Sequence, residues 1–131
     1  MVIIALINLY EIVKCLITMS IFLDKIADVD IDHHGKFKYV LVDVYDEDAD
    51  VSKFIVRGYA NYNLHRKDRM FEKLGFCKCH GGGRIEHDPD EKTIKVYGYS
   101  REFGKADHEV TVGLLKKKYP DYTITWSNDG Y

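Results

Sequence analysis

With 131 residues, 46% of them apolar and 31% charged, the chain can fill one hydrophobic core and is too short for a second domain. Nineteen Lys and Arg against twenty-one Asp and Glu leave a net charge of −2, so no global basic field exists to attract nucleic acid, and any anion site has to be local. Three cysteines, Cys15, Cys77 and Cys79, cannot all pair, and two of them stand one residue apart, where a disulfide is strained; reduced thiols in a cytoplasmic protein are the simpler reading.

The opening run, MVIIALINLYEIVKCLITMSIFL, has the length of a membrane span, but Glu11 and Lys14 near its centre would each cost about 3 kcal/mol in lipid. No Lys or Arg precedes the apolar stretch, as a secretory signal requires. The run is therefore read as neither anchor nor leader. A second methionine, Met19, opens MSIFLDKIADVDID and divides the chain into an extension, residues 1–18, and a single domain, residues 19–131.

From Lys36 the period becomes that of strands. KFKYVLVDVY puts Phe37, Tyr39 and Leu41 on one face and Lys38, Val40, Val42 and Val44 on the other, apolar on both sides, which predicts a central strand. The acidic turn DEDAD leads into VSKFIVRGY, a second strand of a hairpin, ended by Gly58 with Arg57 near its C-terminus. YNLHRKDRMFEKLGF shifts to helical spacing, with Leu64, Phe71 and Leu74 on one stripe and Gly75 as the stop, so His65 falls at the helix start. GRIEH and KTIKVYGYS read as strands flanking the turn DPDE. A second helix begins between Asp107 and Thr111, buries Val112, Leu115 and Tyr119, and is stopped by Pro120; DYTITW closes the chain as a strand. Helices between strand pairs imply a mixed sheet covered on both faces.

The segment FCKCHGGGRIEH concentrates two cysteines, two histidines and an arginine around three glycines. Structural zinc sites usually use two C-x2-4-C-like pairs, whereas Cys77-x-Cys79 is a single closer one. A cysteine phosphatase loop has an Arg at an intermediate spacing: Cys79 to Arg84 leaves four residues between, Cys77 to Arg84 leaves six, and both miss. No Gly-Lys-Ser/Thr follows the glycines, which excludes a Walker loop. What remains is close backbone approach or positive φ at the glycines, with Arg84 opening a strand just after them and the cysteines as packing residues.

DVDIDHHGKFKYVLV, IVRGY followed by His65, CKCHGGGRIEH, KVYGYSREFG and KKYPDYTITWSNDGY together resemble the small phosphohistidine phosphatase family, also called the janus/ocnus family, from about Ala27 to Tyr131. The resemblance implies an α+β fold, a three-layer α/β/α sandwich with a mixed sheet of about six strands and one helix on each face. It implies a metal-independent, cofactor-free phosphatase, monomeric and cytoplasmic, acting on histidine-phosphorylated proteins and in some members on phospholysine, with no nucleic-acid or membrane partner. The family's essential histidine maps onto His65, its phosphate-binding lysine onto Lys38 and its arginines onto Arg57 and Arg84, while its anion loop corresponds to Ser100, Arg101 and Glu102.

A neutral imidazole, with its ordinary pKa of about 6.5, can attack phosphorus or take a proton from water. Cations and N–H donors compensate the phosphoryl oxygens. Among the other histidines, His108 is the secondary candidate, because it opens the second helix beside the anion loop. Glu102 departs from the family pattern by bringing a carboxylate to that loop. The competing functional class is a relative that keeps the pocket as a phospho-residue binding module without useful turnover.

Overall fold

The computed structural model describes residues 9, 23–46, 51–60 and 76–130. Six strands are formed: β1 (Val29–Ile31), β2 (Gly35–Asp46), β3 (Val51–Tyr59), β4 (Phe76–Asp88), β5 (Thr93–Tyr97) and β6 (Thr123–Trp126). One helix, α1 (His108–Lys118), is described along its whole length; Leu9, Leu23 and Asp24 are also helical. The strands make a single sheet in the order β1-β3-β2-β4-β5-β6. The two outer pairs, β1–β3 and β5–β6, are parallel and the inner pairs antiparallel, so the sheet is mixed. The chain is α+β.

β2 is central, as its two apolar rows require. Phe37, Tyr39 and Leu41 join Val29, Ile31, Val56, Ile85, Ile94 and Val96 beneath α1, which contributes Val112 and Leu115. Val40, Val42 and Val44 point to the other face and pack with Leu23, Ile55 and Tyr59. α1 starts where expected: the Asp107 carboxylate caps it by accepting from the Glu109 N–H at 3.1 Å. Lys116, Lys117 and Lys118 occupy its last turn, where the helix dipole favours cations. Tyr119 lies just past the helix, half-buried against the same core.

Three elements differ from expectation. The strand expected to open at Gly83 begins at Phe76, because β4 pairs along almost the whole length of β2, from Phe76 opposite Tyr45 to His87 opposite Gly35. Gly58 does not end β3, which continues to Tyr59; a Cβ at Gly58 would lie 3.0 Å from the Phe37 ring. β1 was hidden by its three-residue length, too short for a periodic signal. The described residues make two layers, sheet and α1, rather than the three of the expected sandwich. The acidic turn, residues 47–50, and the expected first helix, residues 61–75, lie outside the described residues. Among the described residues no helix is long and apolar enough to cross a membrane.

Candidate active site

Strand register assembles the site. Lys38 of β2 stands opposite Arg84 of β4 on one side and Tyr59 of β3 on the other. Residues directly opposite share a face, so both cations project from the side of the sheet away from α1. They line a cleft of about 430 Å³ together with Lys36, Tyr59, Ala60 and the loop residues Tyr99, Ser100, Arg101, Glu102 and Phe103. Four cationic side chains and one carboxylate therefore border it. Lys36 is partly neutralised, its Nζ lying 3.0 Å from Glu86 Oε1, whereas Lys38 makes no ion pair among the described residues.

The loop is a closed turn. Ser100 N–H donates to Gly104 O at 3.0 Å, Gly104 N–H returns to Ser100 O at 2.9 Å, and Phe103 N–H donates to Ser100 Oγ at 3.1 Å. With its oxygen engaged by that N–H, the Ser100 hydroxyl keeps its own proton to give to an anion. The turn is tied to the glycine run: Gly82 N–H donates to Gly104 O and Ala106 N–H to Gly82 O, each at 3.0 Å. This explains FCKCHGGGRIEH. Gly81 has φ +114°, and a Cβ there would sit 2.7 Å from Lys105 O and Ala106 N; at Gly83 it would meet Tyr97 O and the His108 ring. Side chains at these positions would push the loop off β4. A register shift between Val40 and Val42 places the extra residue of a β-bulge beside the same run.

His108 supports the loop from beneath and does not serve as a free base. Its Nε2 lies 2.8 Å from Gly98 O, a pure acceptor, so Nε2 carries the proton and Nδ1 accepts from the Tyr39 hydroxyl. Tyr39 in turn accepts from Thr111 Oγ1 at 3.1 Å. The chain Thr111–Tyr39–His108–Gly98 is buried and fixes the strand exit immediately before Ser100. Burial first, then the charge of Lys105, lowers the His108 pKa, against the opposing pull of its bond to Gly98. The unfolded state, with an ordinary pKa of 6.5, then binds a proton that the folded state refuses. The stability that this group contributes is therefore fully present above about pH 6.5 and is progressively lost as pH falls below it. Thermal unfolding should show the midpoint dropping between pH 7 and 5, with a shallower drop in His108→Asn; equal slopes in both would contradict this assignment.

Arg57 is not brought into the cleft. It is buried, opposite Val40 in the second apolar layer, and its Nη1 donates to Val56 O at 2.9 Å. Burial lowers its pKa, while Tyr59, Asp30 and Asp28 oppose the shift. His65 lies outside the described residues. Lys36, Tyr99 and Phe103, which the sequence reading did not single out, border the cleft; Lys36 had a signal, since it shares a face with Lys38 two residues on.

The family model for the Janus/Ocnus family (Ocnus) matches residues 23–123. The chain belongs to the Janus/Ocnus family. It is 51% identical to the sex-regulated protein janus-A of Drosophila orena over 109 residues, covering 79% of this chain and 80% of that one. It is 46% identical to the 14 kDa phosphohistidine phosphatase of Sus scrofa over 120 residues, 83% of this chain and 95% of that one. The protein of the same name from Homo sapiens is 48% identical over 117 residues, covering 81% and 94% of the two chains. In this Janus/Ocnus chain Cys77 and Cys79 pack against the second apolar layer, and burial raises both thiol pKa values. That is opposite to the depressed pKa of an activated nucleophilic thiolate.

Proposed function

We propose that this Janus/Ocnus protein is a metal-independent phosphatase that hydrolyses phosphohistidine in proteins, with phospholysine as a second phosphoramidate within its chemical reach. The observation that carries the reading is the cleft itself, where Lys38, Arg84 and the Ser100–Phe103 turn converge in a chain whose relatives include proteins named phosphohistidine phosphatases. Lys38 and Arg84 compensate charge on the phosphoryl oxygens, and the Ser100 hydroxyl and the N–H groups of Arg101 and Glu102 supply further donors. His65 provides the imidazole. It follows within a few positions of Ala60, which lines the cleft. As nucleophile it would exchange the substrate's P–N bond for its own before water releases phosphate; as general base it would deprotonate the attacking water.

Val42, Val44 and Ile55 are completely buried on the face of the sheet away from α1. The domain begins near Met19 and acts as a cytoplasmic monomer on histidine-phosphorylated proteins. Arg57, held in the buried layer, supports the sheet beneath the site.

Inorganic phosphate is the simplest probe of the cleft. Lys38→Ala and Arg84→Ala should each weaken phosphate inhibition or substrate use by about 1.5 to 3 kcal/mol, roughly tenfold to a hundredfold, with melting temperature little changed. Unaltered phosphate binding in both variants would remove the cleft as the anion site.

A further inference from the structure

The sheet face turned away from α1 is enclosed over β3 and the C-terminal half of β2 but open over β5 and β6, where Lys95 and Thr125 are exposed. Register lays two rows across the open half. Lys38, Arg84 and Tyr97 form one, and Lys36, Glu86, Lys95 and Thr125 the next. The first row begins in the phosphate cleft. In the second, the only carboxylate is occupied: Glu86 Oε1 takes Lys36 Nζ at 3.0 Å and the Tyr97 hydroxyl at 3.3 Å. Lys95, opposite Glu86, makes no ion pair among the described residues. Asp129 borders the same shallow groove without pairing to it.

We propose that this open half of the sheet is the docking surface for the polypeptide that bears the phosphorylated side chain, and that Lys95 selects chains carrying a carboxylate a short distance from that side chain. The inference rests on the phosphatase reading of the cleft. Neighbouring strands lie about 4.8 Å apart and alternate residues of one strand about 6.6 Å apart, which puts Lys95 roughly 8 Å from Arg84. An extended peptide advances about 3.3 Å per residue, so the selected Asp or Glu stands roughly two to three residues from the phosphorylated position. With Glu86 Oε1 shared between Lys36 and Tyr97, and Lys95 in no ion pair among the described residues, the Lys95 ammonium is available to a substrate carboxylate. The contact is exposed, so it discriminates modestly and weakens with salt.

The test uses peptides carrying a non-hydrolysable phosphohistidine analogue, with either Glu or Ala at the second and third flanking positions, and reads affinity by fluorescence anisotropy at low salt. The wild-type protein is expected to favour the Glu peptides by roughly fivefold. Lys95→Glu should abolish or invert that preference and Lys95→Arg should keep it, while hydrolysis of free phosphohistidine stays unchanged in both variants. Equal affinity for the two peptides in the wild type, or a preference that survives Lys95→Glu, overturns the proposal. If free phosphohistidine is not hydrolysed but the charge-dependent preference holds, the activity reading fails and the docking surface stands.

Discussion

His65→Ala is expected to lose roughly a thousandfold or more of phosphohistidine hydrolysis while keeping the wild-type melting temperature. Ala suits the helical spacing read from the sequence around position 65, so the substitution is expected to remove only the imidazole. The groups proposed to compensate the phosphoryl charge, Lys38, Arg84 and the Ser100–Phe103 turn, belong to other segments of the chain and are expected to remain in place, so phosphate should still bind the variant. Loss of turnover with phosphate binding retained separates the reacting group from the groups that hold the anion. Steady-state phosphate release and phosphate competition on one preparation check both halves; turnover within a few-fold of wild type would show that His65 does not carry the chemistry.

A large structural effect is expected at Gly83. A Cβ there would lie 2.5 Å from Tyr97 O and 2.7 Å from His108 Cε1, and the first of these is backbone held in the β4–β5 ladder. Gly83→Ala should cost about 3 kcal/mol, because neither neighbour can withdraw without breaking the ladder or the Tyr39–His108–Gly98 chain. That corresponds to roughly a 10 °C fall in melting temperature. The same change at Gly113, where an added Cβ meets nothing within 4 Å inside α1, should stabilise by about 0.5 to 1 kcal/mol. A thermal melt of the two variants side by side makes the comparison; a harmless Gly83→Ala would mean the glycine run is not what seats the loop.

The strands that were legible in the sequence are those with strong two-sided patterning. In β2 the alternation of Phe37, Tyr39 and Leu41 with Val40, Val42 and Val44 carries the sheet's centre and both of its faces, and it appears in the structure as read. The N-terminal part of β4 was obscured because CKCHGGG looks like a turn by composition. It is a strand because β2 offers a partner along its length, a tertiary cause that local propensity does not contain. Lys38 and Arg84 were legible as members of motifs, and register then explains why they meet, since they are direct cross-strand neighbours. Arg57 carried the same kind of motif signal and shares a face with Lys38 and Arg84, yet it stands one row farther along the sheet, opposite Val40 in the buried layer. The role of His108 was not legible: its position beside the Ser100–Glu102 loop made it only a secondary candidate, whereas burial and two engaged ring nitrogens make it a support for that loop.

The central claim is hydrolysis of a phosphoramidate on a protein side chain, and the most direct measurement is phosphate release from a phosphohistidine peptide beside a phosphoserine peptide of the same sequence, both in excess chelator. Release from the phosphohistidine peptide alone, undiminished by the chelator, is the predicted result. No release from phosphohistidine, equal release from both peptides, or activity that disappears with chelation would contradict it.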